Sequence, residues 1–250
     1  MANLQRAKQL TNLKGNTNPS VLIVGGGING IGLYRDLALQ GVDVLLVEQK
    51  DFCSGASAAL SRMVHGGLRY LEQGEFRLVR ESLEERNILL RNAPHYVKPL
   101  PTTIPVFDYA SGIMNALLRF LGLSEKPGRR GALVIKLGLT LYDFFTRTRR
   151  ETPTHNFQGQ KETFLRWPEL HPDVKCSATY FDAWVTYPER LGLEMVMDVA
   201  QTGASAMAVN YMSVASSDGK SVTLRDEVSG EEISVEPGIV VNATGAWIDL

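Results

Sequence analysis

The residues in this chain whose spacing could do chemistry begin with three glycines. Gly25, Gly27 and Gly30 form GxGxxG inside SVLIVGGGINGIGLYRDLALQGVDVLLVEQ, directly between an apolar, β-branched-rich run and an amphipathic one. At that spacing the first glycine permits a tight turn, the second lets the backbone approach a diphosphate, and the third lets a helix pack on its strand. The diphosphate then sits at a helix N-terminus among free N–H groups, with Ile28 and Asn29 in the first turn as cofactor-binding residues. Glu48, followed by Gln49, ends the next apolar run about 20 residues on, where an acid accepts hydrogen bonds from ribose hydroxyls and disfavours a 2′-phosphate. The motif by itself does not separate FAD from NAD.

Two further features tilt the choice towards FAD. A late apolar run ends in Ala243, Thr244 and Gly245, which resembles the strand-ending turn of the two-dinucleotide-domain flavoproteins, where that turn lies against the cofactor. The segment after Glu48 is a serine- and glycine-rich loop, FCSGASAALSR, suited to reaching along a cofactor longer than NAD's contacts require.

The elements that must position these residues follow from periodicity. Val21–Val24 and Val44–Val47 are short continuous apolar runs, as strands covered on both faces should be, and residues 28–40 between them make a helix stopped by Gly41, so the unit is βαβ. A long helix is predicted over residues 75–92, with Phe76, Val79, Leu83 and Leu90 on one face; its acids and arginines, such as Arg77 with Glu81, form the solvated face, and Pro94 ends it. Between 98 and 187 the character changes. Pro99, Pro101 and Pro105 precede apolar helical segments near 112–122 and 131–145, and then the strand-like CSATYFDAWVT. From Pro188 a helix to about 203 leads into a strand, a meander with turns at Asp218-Gly219 and Ser229-Gly230, and a last strand at 238–242. The expected organisation is a flexible extension over 1–19, a discontinuous nucleotide-binding domain over 20–97 and 188–250, and an inserted substrate or cap domain over 98–187.

Composition narrows the partners. A net charge of -1 and a pI of about 6.4 provide no chain-wide field for nucleic acid. Cys53 and Cys176 form no CxxC pair, so neither a metal site nor a disulfide framework is expected, and reduced thiols fit a cytoplasmic protein. No apolar run reaches the roughly 18 residues of a membrane span. Residues 119–150, however, hold eight Lys/Arg against two acids. With the apolar residues interleaved among them, 113–150 could form a peripheral membrane contact on the cytoplasmic face. The competing reading of the same pattern is two helices buried on their apolar sides.

SRMVHGGLRYLEQGEFRLVRESLEER, together with GGGINGIGLYRDLALQGVDVLLVEQKDF and VVNATGAW, resembles the FAD-dependent glycerol-3-phosphate dehydrogenase and oxidase family, and HGGLRYLE is the specific part. The resemblance implies an α/β fold of the two-dinucleotide-domain flavoprotein type: a Rossmann-like FAD-binding domain and an inserted, mostly antiparallel α+β cap. It implies oxidation of sn-glycerol 3-phosphate to dihydroxyacetone phosphate, with the C2 hydride passing to flavin N5 and electrons going on to quinone or oxygen. Carried over by position, Ser57, Ser61, Gly66, Gly67, Leu68 and Val209 would line FAD. Arg69 and Tyr70 would hold the substrate phosphate, a guanidinium fork and a phenol being suitable donors. His65 would be either the base for the C2 hydroxyl proton or a hydrogen-bonding group towards cofactor or backbone.

Ala58-Ala59 stands where relatives often carry serine, and WVTYPERL at 184–191 stands where they tend to be acidic. The family also runs to roughly twice this length, and its later basic residues complete the phosphate site. The alternatives are an amine or amino-acid oxidase of the same superfamily and a non-catalytic nucleotide-binding fragment.

Overall fold

The computed structural model describes residues 2–71, 73–111, 131–147 and 150–248, excluding the side chains of 2–5 and Arg69. Its contacts divide into two compact units, Met1–Ser61 with Tyr187–Leu250, and Arg62–Thr186.

The first unit is built on a parallel sheet. Strands β1 (Val21–Val24) and β2 (Val44–Val47) are joined by helix α2 (Ile28–Leu39), and the chain returns late to add strands β7 (Ala206–Val209) and β11 (Ile239–Asn242), in the order β11-β1-β2-β7. The two central strands, β1 and β2, are covered on both faces, which is why they are continuously apolar rather than alternating, whereas Ile239 and Val240 of the edge strand β11 are exposed. On one side Ile23 and Leu46 pack with Ile31, Tyr34 and Ala38 of α2 and Val199 of α7 (Pro188–Thr202). On the other, Leu22, Leu45 and Val47 pack with Met212, Leu224 and Val235 of the antiparallel meander β8 (Met212–Ser217), β9 (Val222–Asp226) and β10 (Glu232–Val235). Each such apolar side chain removed from water contributes about 1.5–3 kcal/mol.

The N-terminus departs from the expectation of a loose extension. Ala2–Gly15 is a helix, α1, with Leu13 only 1% exposed in the core beneath the meander. Arg6 on the same helix donates to Asp226 at 2.5 Å and to the carbonyls of Asn210 and Tyr211 at 2.5 and 3.1 Å. An isolated helix of this length is marginal in water, and the stretch has few apolar residues. Its anchors are tertiary, which is why the sequence read as unstructured.

The second unit surrounds one long central strand, β6 (Cys176–Val185). Along it run the edge strand β4 (Val97–Val106), the short β3 (Met63–Val64) and β5 (Asn156–Gly159), all antiparallel to it. β4 contains Pro99, Pro101 and Pro105 yet pairs with β6 over its whole length. Lys175 N–H donates to the Val106 carbonyl, placing the even-numbered residues of β4 against β6. The prolines, all odd-numbered, occupy positions whose missing N–H would face the free edge, the one place a strand tolerates them. Helices α3 (Leu68–Leu71), α4 (Phe76–Asn92), α5 (Ala132–Phe145) and α6 (Gln160–Arg166) complete the unit.

The division falls at 61/62 rather than at the expected 97/98. β3 is paired to β6, and α4 buries Val79 and Leu83 against Tyr142 of α5, which ties residues 62–97 to the second unit. The helix expected at 112–122 lies outside the described residues; that expected at 131–145 is α5.

Candidate cofactor and substrate site

In the parallel sheet, Val24 is in register with Val47 and Asn242, and Val47 with Val209. The next residues, Gly25, Glu48, Asn210 and Ala243, therefore follow the same rung at the carboxyl ends of four strands. Ligands of open α/β sheets bind at this edge. Candidate residues far apart in sequence, the GxGxxG turn, Glu48 and the Ala243-Thr244-Gly245 turn, meet there because the strands are parallel and aligned.

The glycines of the turn have different reasons to be glycine. Gly25 has φ +112°, and a β-carbon on it would lie 2.6 Å from the Ala243 carbonyl oxygen. One on Gly30 would collide with the Gly25 carbonyl. Gly27 is unlike both. Its backbone is extended at φ -76° and ψ 177°, and an added β-carbon would meet only the Ser57 hydroxyl, at 3.3 Å. The protein's own packing thus dictates glycine at 25 and 30 and leaves 27 comparatively open. An external group approaching the backbone supplies the reason for a bare position there, so the residues present fit a dinucleotide diphosphate. Ile28 and Asn29, both exposed, open α2, and the Ile28 N–H donates to Ser57 Oγ at 2.9 Å.

Glu48 is half-buried and held by backbone. Gly26 N–H donates to its Oε2 at 2.7 Å and Lys50 N–H to its Oε1 at 2.8 Å. Each oxygen keeps acceptor capacity, so the carboxylate is oriented without being used up. Gln49 beside it is exposed. Val209 is fully buried in the core, and its carbonyl accepts the Glu48 N–H at 3.0 Å, so its side chain is unavailable to a ligand and only its backbone qualifies.

Across the turn, Thr244 is pinned by Asn242 Oδ1, which accepts its N–H at 3.0 Å and its hydroxyl at 2.7 Å, and Gly245 has φ +66°. Ser61 is exposed at the end of the loop. Cys53, buried under the same loop, is kept a neutral thiol: burial pushes it up to about 11, with Glu189, Glu48 and Asp51 adding to the effect. Among the described residues no cluster of His, Cys, Asp and Glu could hold a metal ion.

The HGGLRY segment lies in the second unit. His65 and Tyr70 are exposed, Gly66 and Gly67 buried and Leu68 half-buried; the Arg69 side chain lies outside the described residues. Gly67 has φ +73°, and a β-carbon there would meet the Tyr70 ring at 2.6 Å. One on Gly66 would collide with Leu83 and the Tyr142 hydroxyl.

Beneath this turn is a polar cluster that sequence reasoning missed. Arg86 of α4, expected on a solvated face, is fully buried, whereas Arg77–Glu81 and Arg80–Glu84 do form exposed pairs on that helix. Arg86 Nη1 donates to the Phe181 carbonyl at 2.7 Å and to the Tyr142 hydroxyl at 3.1 Å, and lies 3.4 Å from the Asp182 carboxylate. Burial, reinforced by Asp182, pushes the Tyr142 hydroxyl well above its ordinary range, and the same causes push Tyr180 up to about 12. The signal was present, since Arg86 falls in the gap between Leu83 and Leu90 at helical spacing, on the buried face.

Residues 20–250 match the family of FAD dependent oxidoreductases. The chain belongs to that family. Among curated proteins, it is 39% identical over 244 residues to a glycerol-3-phosphate dehydrogenase of Synechocystis, covering 94% of this chain and 40% of that one. It is 34% identical over 230 residues to the D-erythritol 1-phosphate dehydrogenase of Brucella abortus, covering 91% and 41%. Among solved structures, the glycerol-3-phosphate dehydrogenase of Bacillus halodurans complexed with FAD superposes with a TM-score of 0.66 at 25% identity, covering 98% of this chain and 38% of that one. The L-proline dehydrogenase of P. horikoshii, at 17% identity, TM-score 0.60, and coverage of 93% and 54%, shares the fold. The chain spans about two fifths of the length of the curated relatives it matches. The mixed α/β fold with its parallel sheet is that of FAD-dependent oxidoreductases, whose cofactor is FAD.

Proposed function

We propose that this chain forms the FAD-binding and capping part of an enzyme that oxidises a small phosphorylated polyol, sn-glycerol 3-phosphate, to dihydroxyacetone phosphate. The observation that carries the reading is the open approach at Gly27 beside a backbone-oriented Glu48, a cradle for a dinucleotide with free ribose hydroxyls. The substrate class is supported by the names of the relatives, since glycerol 3-phosphate and erythritol 1-phosphate share a phosphate at one end and a secondary alcohol beside it.

Bound FAD would supply a two-electron hydride acceptor. The chain's own residues do the rest. Glu48 accepts from the ribose hydroxyls, and the N–H groups at the start of α2, with Ser57, meet the diphosphate. Arg69 and Tyr70 hold the substrate phosphate, which fixes the alcohol carbon in one place. His65 hydrogen-bonds the C2 hydroxyl and takes its proton as the hydride leaves. Quinone or oxygen would be the final electron acceptor.

A quinone acceptor would require access to a bilayer, and part of 113–150 supports a peripheral site on the cytoplasmic membrane face. α5 buries Ile135, Leu139 and Tyr142 and exposes Leu133, Leu137 and Phe144, so it has one face in the core and a second apolar stripe outside. No helix among the described residues is long and apolar enough to cross a membrane.

The deciding experiment is anaerobic addition of sn-glycerol 3-phosphate to the full-length protein while flavin absorbance is followed. Bleaching by that substrate and not by amino acids is the expected result; bleaching by amino acids alone would transfer the protein to the oxidases of the same fold.

A further inference from the structure

Side chains from three elements, α4, α5 and β6, meet beneath one backbone N–H in the second unit. The amide of Gly66, between β3 and α3, donates to Asp182 Oδ1 of β6 at 3.0 Å and to the Tyr142 hydroxyl of α5 at 3.1 Å. The Tyr142 hydroxyl itself donates to the same Asp182 oxygen at 2.5 Å, and Arg86 of α4 closes the cluster through both residues. The Arg86 and Asp182 side chains are 1% and 2% exposed. A buried ion pair is poor value as a source of stability, because desolvation cancels most of its attraction. Its neighbourhood shows what else it does. Arg86 pairs with Asp182, allowing the carboxylate to sit buried under a tight turn and fix the Gly66 amide of that turn by a charge-assisted bond.

The peptide between His65 and Gly66 is trans, so its carbonyl points opposite to its N–H. With the N–H held on Asp182 and Tyr142, the His65 carbonyl faces away from the cluster, and the His65 side chain itself is exposed. We infer that Arg86, Tyr142 and Asp182 are positioning residues that lock the His65–Gly66 peptide in this orientation, so that the HGGLRY turn presents the His65 carbonyl away from the buried cluster and holds the exposed His65 in place for the substrate. None of the three need touch the reacting atoms. Released, the peptide can rotate and present a donor where the turn now presents an acceptor. The inference rests on the polyol-phosphate reading only for the identity of the ligand, and not for the clamp.

The test uses the full-length holoenzyme with Tyr142→Phe, which strands no charge, and Asp182→Asn, which keeps the shape but not the charge. Hydrogen exchange of a peptide spanning 63–71 reads the clamp without reference to activity. It is expected to be slow in the wild type and about tenfold faster in both variants, while peptides from β1 and β2 are unchanged. The rate of flavin reduction by sn-glycerol 3-phosphate at saturating substrate should fall by about tenfold or more at unchanged flavin content. The double variant Arg86→Met with Asp182→Leu replaces the pair by apolar groups. It should melt near the wild-type temperature yet stay slow, separating positioning from stability. Rapid exchange of 63–71 in the wild type would overturn the clamp, and wild-type reduction rates in all three variants would overturn its role. If the wild-type flavin is not reduced by glycerol 3-phosphate, the proposed function fails and the exchange measurement alone decides the clamp.

Discussion

The carbonyl oxygen of Gly25 occupies the space that a β-carbon on Gly30 would need. The contact closes the turn between β1 and α2 from within the protein, whereas Gly27, two residues after Gly25, is nearly free of such neighbours. The two positions should therefore respond differently. Gly30→Ala forces backbone against backbone and is expected to cost about 1–3 kcal/mol of stability or more, seen as a lowered Tm with and without added FAD. Gly27→Val should cost less than about 1 kcal/mol of apoprotein stability and abolish flavin binding. Full-length Gly27→Val purifying with normal flavin content would remove the diphosphate from this turn.

Arg69→Ala in the full-length enzyme should leave the flavin spectrum intact and lower kcat/KM for glycerol 3-phosphate. A lost charge-assisted hydrogen bond to phosphate is worth about 1.5–3 kcal/mol, a factor of roughly 10 to 150. Lysine should restore only part of it, lacking the planar fork. An unchanged kcat/KM would place the phosphate elsewhere.

The α1 helix should be tied to pH through Asp226. Burial pushes that carboxyl up, but hydrogen bonds from Arg6, Ser229 and the Val228 N–H outweigh it and hold the group below the usual carboxylate range. A depressed folded-state value contributes stability that is complete above the unfolded value of about 3.9 and is lost as pH falls through the folded one. Arg6→Ala should thus destabilise the protein by about 3 kcal/mol near neutrality, with the gap to wild type closing below about pH 4. Urea titrations at pH 7 and pH 3.5 measure this. A gap that persists undiminished at the lower pH would mean that Arg6 acts through the Asn210 and Tyr211 carbonyls alone.

The exposed stripe of α5 makes a separate prediction for membranes. Leu133 and Leu137 are 58% and 65% exposed, and the Arg147 guanidinium lies over the Phe144 ring at 4.6 Å. Each cation near an anionic surface adds about 1 kcal/mol. Full-length protein should co-sediment with anionic vesicles at low salt and less at high salt. The combination Leu133→Ser, Leu137→Ser and Arg147→Gln should reduce that binding severalfold. Equal sedimentation of variant and wild type would clear this helix of a membrane role.

Local sequence by itself determined the βαβ unit, because continuous apolar runs flanking a GxGxxG turn have few other solutions, and it determined the acid at the end of β2. It also marked the turns of the meander and the small-residue turn after β11. What it did not hold was anything made by residues distant along the chain. α1 read as a tail because its anchors, Asp226 and the core under the meander, lie some two hundred residues away. The proline-bearing segment 97–106 does not read as a strand because only its pairing partner shows which edge its prolines face. Arg86 read as a surface charge because a buried guanidinium is affordable only when Asp182 and Tyr142 arrive from two other elements to satisfy it. Periodicity and turn chemistry are written in neighbouring residues. The compensation of buried charge, the register of parallel strands and the alignment of four strand ends on one rung exist only once the chain has closed on itself.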